Sequence, residues 1–168
     1  MSRAAYLCGH VLAETGAMAI GITVLCLSGL IVGWRIHADV PHVLLGFALV
    51  LGFAFSMVWL GTLLGLVVRS PDATQGVAFI IVFPATFLAS TFVPLDGLPT
   101  VLREFGSYNP ISAVAGATRT LFGNPVATPA HPSWPLEHPV LSGFAWCLAL
   151  IAITAPLMLV RYRSRTKG

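Results

Sequence analysis

Four stretches of this chain hold almost no charge. Residues 11–34, 42–68, 76–92 and 140–160 are apolar runs that share one charged residue, Glu14. A bilayer's hydrocarbon core is about 30 Å thick and is crossed by roughly 20 apolar residues in a helix. Only a helix or a closed barrel satisfies every backbone polar group there. The runs therefore predict an all-α, polytopic membrane protein with four spans in one transmembrane domain, residues 1–168. Charged residues make up 9% of the chain, against about 25% in a soluble domain. That difference excludes an ordinary globule. The nine Lys and Arg residues are too scattered to track a phosphate backbone, which excludes a nucleic-acid partner. Lipid is the expected surroundings.

The tail carries Arg161, Arg163, Arg165 and Lys167 directly after the last run. Cations beside a span mark the cytoplasmic side. Four spans put both termini there, in the cell membrane, together with Arg3 and Arg69. Arg35, Arg103 and Arg119 fall outside. The first run is too long for a signal peptide and has no small-x-small cleavage site after it.

Residues 93–139 differ from the rest and are read as an outer insertion. One short helix is predicted over about 99–106, with Pro99 in its first turn. Leu98, Val101, Leu102 and Phe105 lie on one side, and Arg103 and Glu104 on the other. A second is predicted over about 110–122. Asn109 is its N-cap, Pro110 its first residue and Gly123 its stop. Ile111, Val114, Ala115, Leu121 and Phe122 share a face with Thr118, and Arg119 sits at its edge. Neither helix is long enough to span, so both lie in the outer interface or dip partway in. Pro125 to Pro139 contains five prolines and reads as a loop.

Several residues stand out against plainer readings. Glu14 is an intramembrane acid, a candidate for a proton relay or a cationic substrate; the plainer reading, within a turn of the inner boundary and with His10 on the same face, is a local hydrogen bond or an interfacial position. Arg119 is a candidate for an outer gate or an anchor, with Asp96 and Glu104 as available acids. Pro84 leaves the Ile80 carbonyl without its donor, and a kink there turns Thr86, Ser90 and Thr91 toward a path. Ser70, Pro71 and Asp72 form a helix start. Gly29–Gly33 and Gly61–Gly65 have the spacing that lets membrane helices approach closely. Cys8, Cys26 and Cys147 form no zinc or disulfide pattern, and His131 with His138 is a weak metal signal, so no metal is expected.

The stretch FLASTFVPLDGLPTVLREFGSYNPISAVAGATRTLFGNP carries a resemblance. Phe87, Ser90, Phe92, Pro94, Pro99, Asn109, Pro110, Arg119 and Leu121-Phe122-Gly123 fall in the order seen in permease subunits of type 2 ATP-binding cassette exporters. The chain looks most like the daunorubicin-resistance-like permeases. GLVVRSPDATQG, SWPLEHP and APLMLVRYR are similar to that group too, so the resemblance covers essentially the whole chain. Such permeases have six spans. This chain is expected to be the C-terminal part, without the first two.

The resemblance implies export of a hydrophobic or amphipathic drug, lipid or glycan. It implies a second permease subunit and a separate ATPase subunit that binds ATP and magnesium. Arg3, Arg69 and Asp72 are the candidate contacts for that ATPase. The chain itself has no G-x-x-x-x-G-K-[ST] loop, and its one lysine is Lys167, so no cofactor and no catalytic residue are expected in it. The rival readings are a stand-alone four-span scaffold or small channel, a truncated permease without function, and an intramembrane protease. The protease lacks a histidine deep in any span.

Overall fold

The computed structural model describes residues 3–68, 70–89, 99–125 and 133–164. Every regular element among them is helical. In chain order they are α1 (Arg3–Val32), α2 (Val40–Val67), α3 (Pro71–Phe87), α4 (Thr100–Ser107), α5 (Pro110–Leu121), α6 (Trp134–Glu137) and α7 (Pro139–Ser164). Three contain segments long and apolar enough to cross a membrane: Gly9–Val32, Val40–Val67 and Pro139–Met158. The third expected span forms a shorter apolar helix, α3, whose 17 residues reach about 25 Å, so three helices and not four are of spanning length among the described residues.

α2 is the hub, and α1, α3, α5 and α7 all pack on it. α1 and α2 form an antiparallel hairpin. α7 runs parallel to α2, since Gly143 lies against Leu49, the Cys147 carbonyl faces Ser56, and Met158 packs with Val58 and Trp59. Two apolar clusters hold the bundle. At the end where α1 begins, Val11, Val58, Trp59 and Met158 join α1, α2 and α7. Nearer the other end, Leu49, Val114, Ala117, Leu121 and Cys147 join α2, α5 and α7. The start of α1 and the end of α7 thus lie at the same end of the bundle.

Local chemistry sets the element ends, and some differ from the sequence reading. α1 stops at Val32, short of Trp34. Gly33 has φ +109°, a conformation suited to glycine, and the Trp34 N–H turns back to the Gly29 carbonyl at 2.9 Å. The Trp34 ring lies 3.4 Å from where a Gly29 Cβ would stand. Gly29 and Gly33 therefore seat a tryptophan and end a helix, and do not bring two helices together. A Cβ at Gly61 or Gly65 would meet nothing within 4 Å, so that pair has no close neighbour among the described residues.

α3 starts as expected. The Ser70 hydroxyl accepts from the Ala73 N–H at 3.2 Å, and Pro71 and Asp72 follow in the first turn. α4 begins one residue later than expected, because Pro99 adopts extended geometry (φ −52°, ψ 148°) as the N-cap. The proline-rich stretch is not all loop: Trp134–Glu137 makes one helical turn, with Pro135 in the first-turn position that proline tolerates. Pro139 opens α7.

Candidate functional site

α5 enters the bundle and does not lie on it. Its buried residues are Ser112, Ala113, Val114, Ala117 and Leu121. The expected face was Ile111, Val114, Ala115, Leu121 and Phe122 with Thr118. Val114, Leu121 and Phe122 are buried, the other three only partly, and burial extends to the small residues Ser112, Ala113 and Ala117. The reason is α7. A Cβ added to Gly143 would stand 3.2 Å from the Ala117 Cβ, so the two backbones meet where both side chains are minimal.

The N-terminal end of α5 is fixed by Asn109, which is 3% exposed. Its Oδ1 accepts from the Ile111 N–H at 2.9 Å, and its Nδ2 donates to the Ala85 carbonyl. Ala85 lies in the last turn of α3, where carbonyls lack helical donors. One side chain therefore caps the start of α5 and the end of α3. The cap is legible from Asn109-Pro110; the bond to α3 has no local signal.

The C-terminal end of α5 is held by the expected Gly123 and Phe122 together with His37, Asn124, Gly46 and Trp34, whose part in it the sequence did not single out. Gly123 has φ +73°, and a Cβ there would stand 2.6 Å from the His37 carbonyl carbon. The His37 N–H donates to the Phe122 carbonyl at 3.0 Å. Asn124 donates to the Arg35 carbonyl at 3.0 Å, and its Oδ1 lies 3.2 Å from His37 Nδ1. The Phe122 ring sits between Trp34 and Phe47, with centroid distances of 5.5 and 5.4 Å. Gly46 makes room for it, since a Cβ there would meet the ring at 2.7 Å. Asn124 directly after the glycine stop was the available hint.

Between α5, α2 and the α1–α2 connection lies a cavity of about 430 Å³. Val50, Phe53, Ile111 and Val114 form much of its wall, with Trp34, Arg119 and Asn124 also lining it. Arg119 is half-buried and makes no ion pair or side-chain hydrogen bond among the described residues. Glu104, exposed on α4, does not pair with it. Asp96 lies outside the described residues.

The remaining candidates are dispersed. Glu14 is exposed on α1, about a quarter turn from the stripe Val11, Thr15, Ala19, Ile22, Cys26 and Gly29 that faces inward; of its two plainer readings, the local bond to His10 is not formed. Pro84 is exposed, and the Thr86 hydroxyl donates to the Val82 carbonyl at 2.8 Å. Beside Thr86 runs a ladder of Phe79, Phe83 and Phe87, with centroids 4.9 and 4.7 Å apart. This ladder is exposed and points away from α2. Asp72 is exposed in the first turn of α3, at the end of the bundle where Arg3 begins α1. Ser90, Thr91, Arg69 and the Arg3 side chain lie outside the described residues. So does His131; no metal-binding group of three or more occurs among the described residues.

The ABC-2 type transporter family model matches residues 1–122. A daunorubicin resistance ABC transporter permease protein of Streptomyces coeruleorubidus is 25% identical over 96% of this chain and 54% of its own length. A doxorubicin resistance ABC transporter permease protein of Mycobacterium tuberculosis (strain CDC 1551 / Oshkosh) is 25% identical over 84% of this chain and 49% of its own length. The chain thus spans about half the length of the curated relatives it matches. No solved structure matches. The match over residues 1–122, together with the membrane-spanning helices, makes this chain a multi-pass membrane protein of the ABC-2 type transporter family.

Proposed function

We propose that the chain is the permease part of an ATP-driven exporter for hydrophobic or amphipathic molecules. It works beside a second permease subunit and a separate ATPase subunit, which supplies ATP hydrolysis with magnesium. Family membership supports the general role, and the drug-resistance names of its relatives support a drug-like cargo. The basic tail supports a cytoplasmic position for both termini, with Arg3, Arg69 and Asp72 facing the ATPase.

The observation that carries the reading is the Asn109 joint. Movement that reaches α3 from the ATPase side passes to α5 through the Ala85 carbonyl. α5 then acts as the outer gate, with Arg119 anchoring it. The outward face of α3, with the phenylalanine ladder and Thr86, suits a path for apolar cargo. Ser90 and Thr91 extend it in sequence, and Pro84 gives α3 a point of flexure. Glu14 serves a cationic group on the cargo.

The test is doxorubicin accumulation in cells that express the chain with its ATPase subunit. The proposal expects accumulation to fall, and to return when the phosphate-loop lysine of the ATPase is replaced. Arg119→Ala is expected to restore accumulation while the ATPase still co-purifies. Accumulation that ignores the ATPase would overturn the exporter reading. Normal export by Arg119→Ala would remove Arg119 from the gate.

A further inference from the structure

We propose that a proton-sensitive clamp holds the C-terminal end of α5, in which the His37 ring grips Asn124 more firmly when it is protonated. The clamp joins the α1–α2 connection to α5 through three hydrogen bonds, and the proton acts on one of them.

The last turn of α5 fixes Asn124 first. The Gly123 N–H donates to the Thr120 carbonyl at 3.1 Å, and the Asn124 N–H to the Arg119 carbonyl at 2.8 Å. With Gly123 at φ +73°, these two bonds close the helix around a left-handed glycine. The Asn124 side chain then stands against the connection. Its Nδ2 donates to the Arg35 carbonyl at 3.0 Å and to the Phe122 carbonyl at 3.2 Å. That fixes which way round the amide lies, because the reverse would set an oxygen against two carbonyls. The Oδ1 therefore faces His37, 3.2 Å from its Nδ1. An amide oxygen can only accept, so the bond forms only when His37 Nδ1 carries a proton.

There are two ways for that proton to be present. A neutral imidazole has a single N–H, on one nitrogen or the other, and only the Nδ1–H form serves here. An imidazolium carries a proton on both nitrogens, so the donor is always in place and the bond is charge-assisted. Imidazole is the side chain that changes charge between about pH 5 and 8. Acid therefore strengthens the bond, and loss of the proton weakens it. The His37 N–H also donates to the Phe122 carbonyl at 3.0 Å, and Asn124 to the Arg35 carbonyl. Those two bonds hold at any pH, so the proton tunes the clamp and does not make it.

Charged and titratable groups stand on each element around the ring. Arg35 turns back to the Leu30 and Trp34 carbonyls. Asp39 precedes α2 and His42 lies in its first turn, both exposed, and Arg119 is on α5. Glu137 and His138 stand where α6, packed against α5, meets α7. His131 lies outside the described residues. The His37 ring is exposed, so its proton comes from the surrounding medium. On the exporter reading that medium is the outside, and acid there holds the gate assigned to α5 shut. This consequence rests on that reading; the clamp itself does not.

The experiment is a double-mutant cycle of His37→Ala and Asn124→Ala, measured by denaturation of the purified full chain in detergent at pH 5 and pH 8. The cycle cancels the bond from Asn124 to the Arg35 carbonyl and leaves the coupling of ring to amide. Read as a ratio of unfolding constants, the coupling should be about threefold larger at pH 5. That is the low end of what a charge-assisted bond adds over a neutral one, because the ring is exposed. Equal coupling at the two pH values, or a larger one at pH 8, would overturn the switch. Nitrogen NMR of the His37 ring in the wild-type chain provides a check that needs no variant to fold. At pH 8 the single proton should sit on Nδ1, and a ring protonated only on Nε2 would overturn the clamp. Neither measurement uses the ATPase or efflux, so failure here would leave the exporter reading standing.

Discussion

Asn109 donates to the Ala85 carbonyl while its own oxygen caps the first turn of α5. One amide therefore ties the end of α3 to the start of α5, across 24 residues of chain. Loss of an N-cap costs about 1 kcal/mol, and an orphaned buried carbonyl roughly 1–3 kcal/mol more. Asn109→Ala should lower thermal stability by the sum. Asn109→Asp keeps the cap but has no N–H to donate, and it sets a carboxylate against a carbonyl. It should be no more stable than the alanine variant. Thermal melting of the two in detergent checks this; an aspartate variant as stable as wild type would show that the bond to α3 is idle.

Phe122 closes the other end of α5. Its ring fills the notch over Gly46 between Trp34 and Phe47. Gly46→Ala should destabilise by about 1–3 kcal/mol through overpacking. Adding Phe122→Leu should recover part of that loss, because the methyl then finds room. A double-mutant cycle measures the coupling; strict additivity would contradict the packing. Gly123→Ala should be worse and should not be rescued by Phe122→Leu, since its clash is with the His37 backbone at a positive φ.

Much of the architecture could be read from the chain. The spans announce themselves because a charge inside hydrocarbon is costly, and residues 42–68 have none. Both ends of α5 were legible because Asn109-Pro110 and Gly123 are local signals, each acting on its own turn. The Asn124–His37 contact was not, because 87 residues separate the partners and neither has a pattern that names the other. Gly29 and Gly33 show the opposite failure. Their spacing fits helix packing, but spacing cannot tell a neighbouring helix from the ring of Trp34 folding back. Val101, Leu102 and Phe105, expected on the apolar side of α4, are exposed, and the residues that α4 buries are Gly106 and Ser107. Arg119 was named as a candidate from its own segment, but the cavity it lines comes from α2, α5 and Trp34 together, which no single segment encodes.

The central claim is that α5 moves during export, and a reversible tether tests it most directly. A Cβ at Gly143 would lie 3.2 Å from the Ala117 Cβ, close to the roughly 3.5–4.5 Å of a disulfide. The Ala117→Cys, Gly143→Cys pair, with Cys8, Cys26 and Cys147 replaced by alanine, should cross-link on oxidation. ATP-driven doxorubicin efflux by the assembled transporter should then stop, and it should return when a reductant opens the bond. Full cross-linking with undiminished efflux would mean that α5 stays fixed against α7, and the gate assigned to it would be wrong.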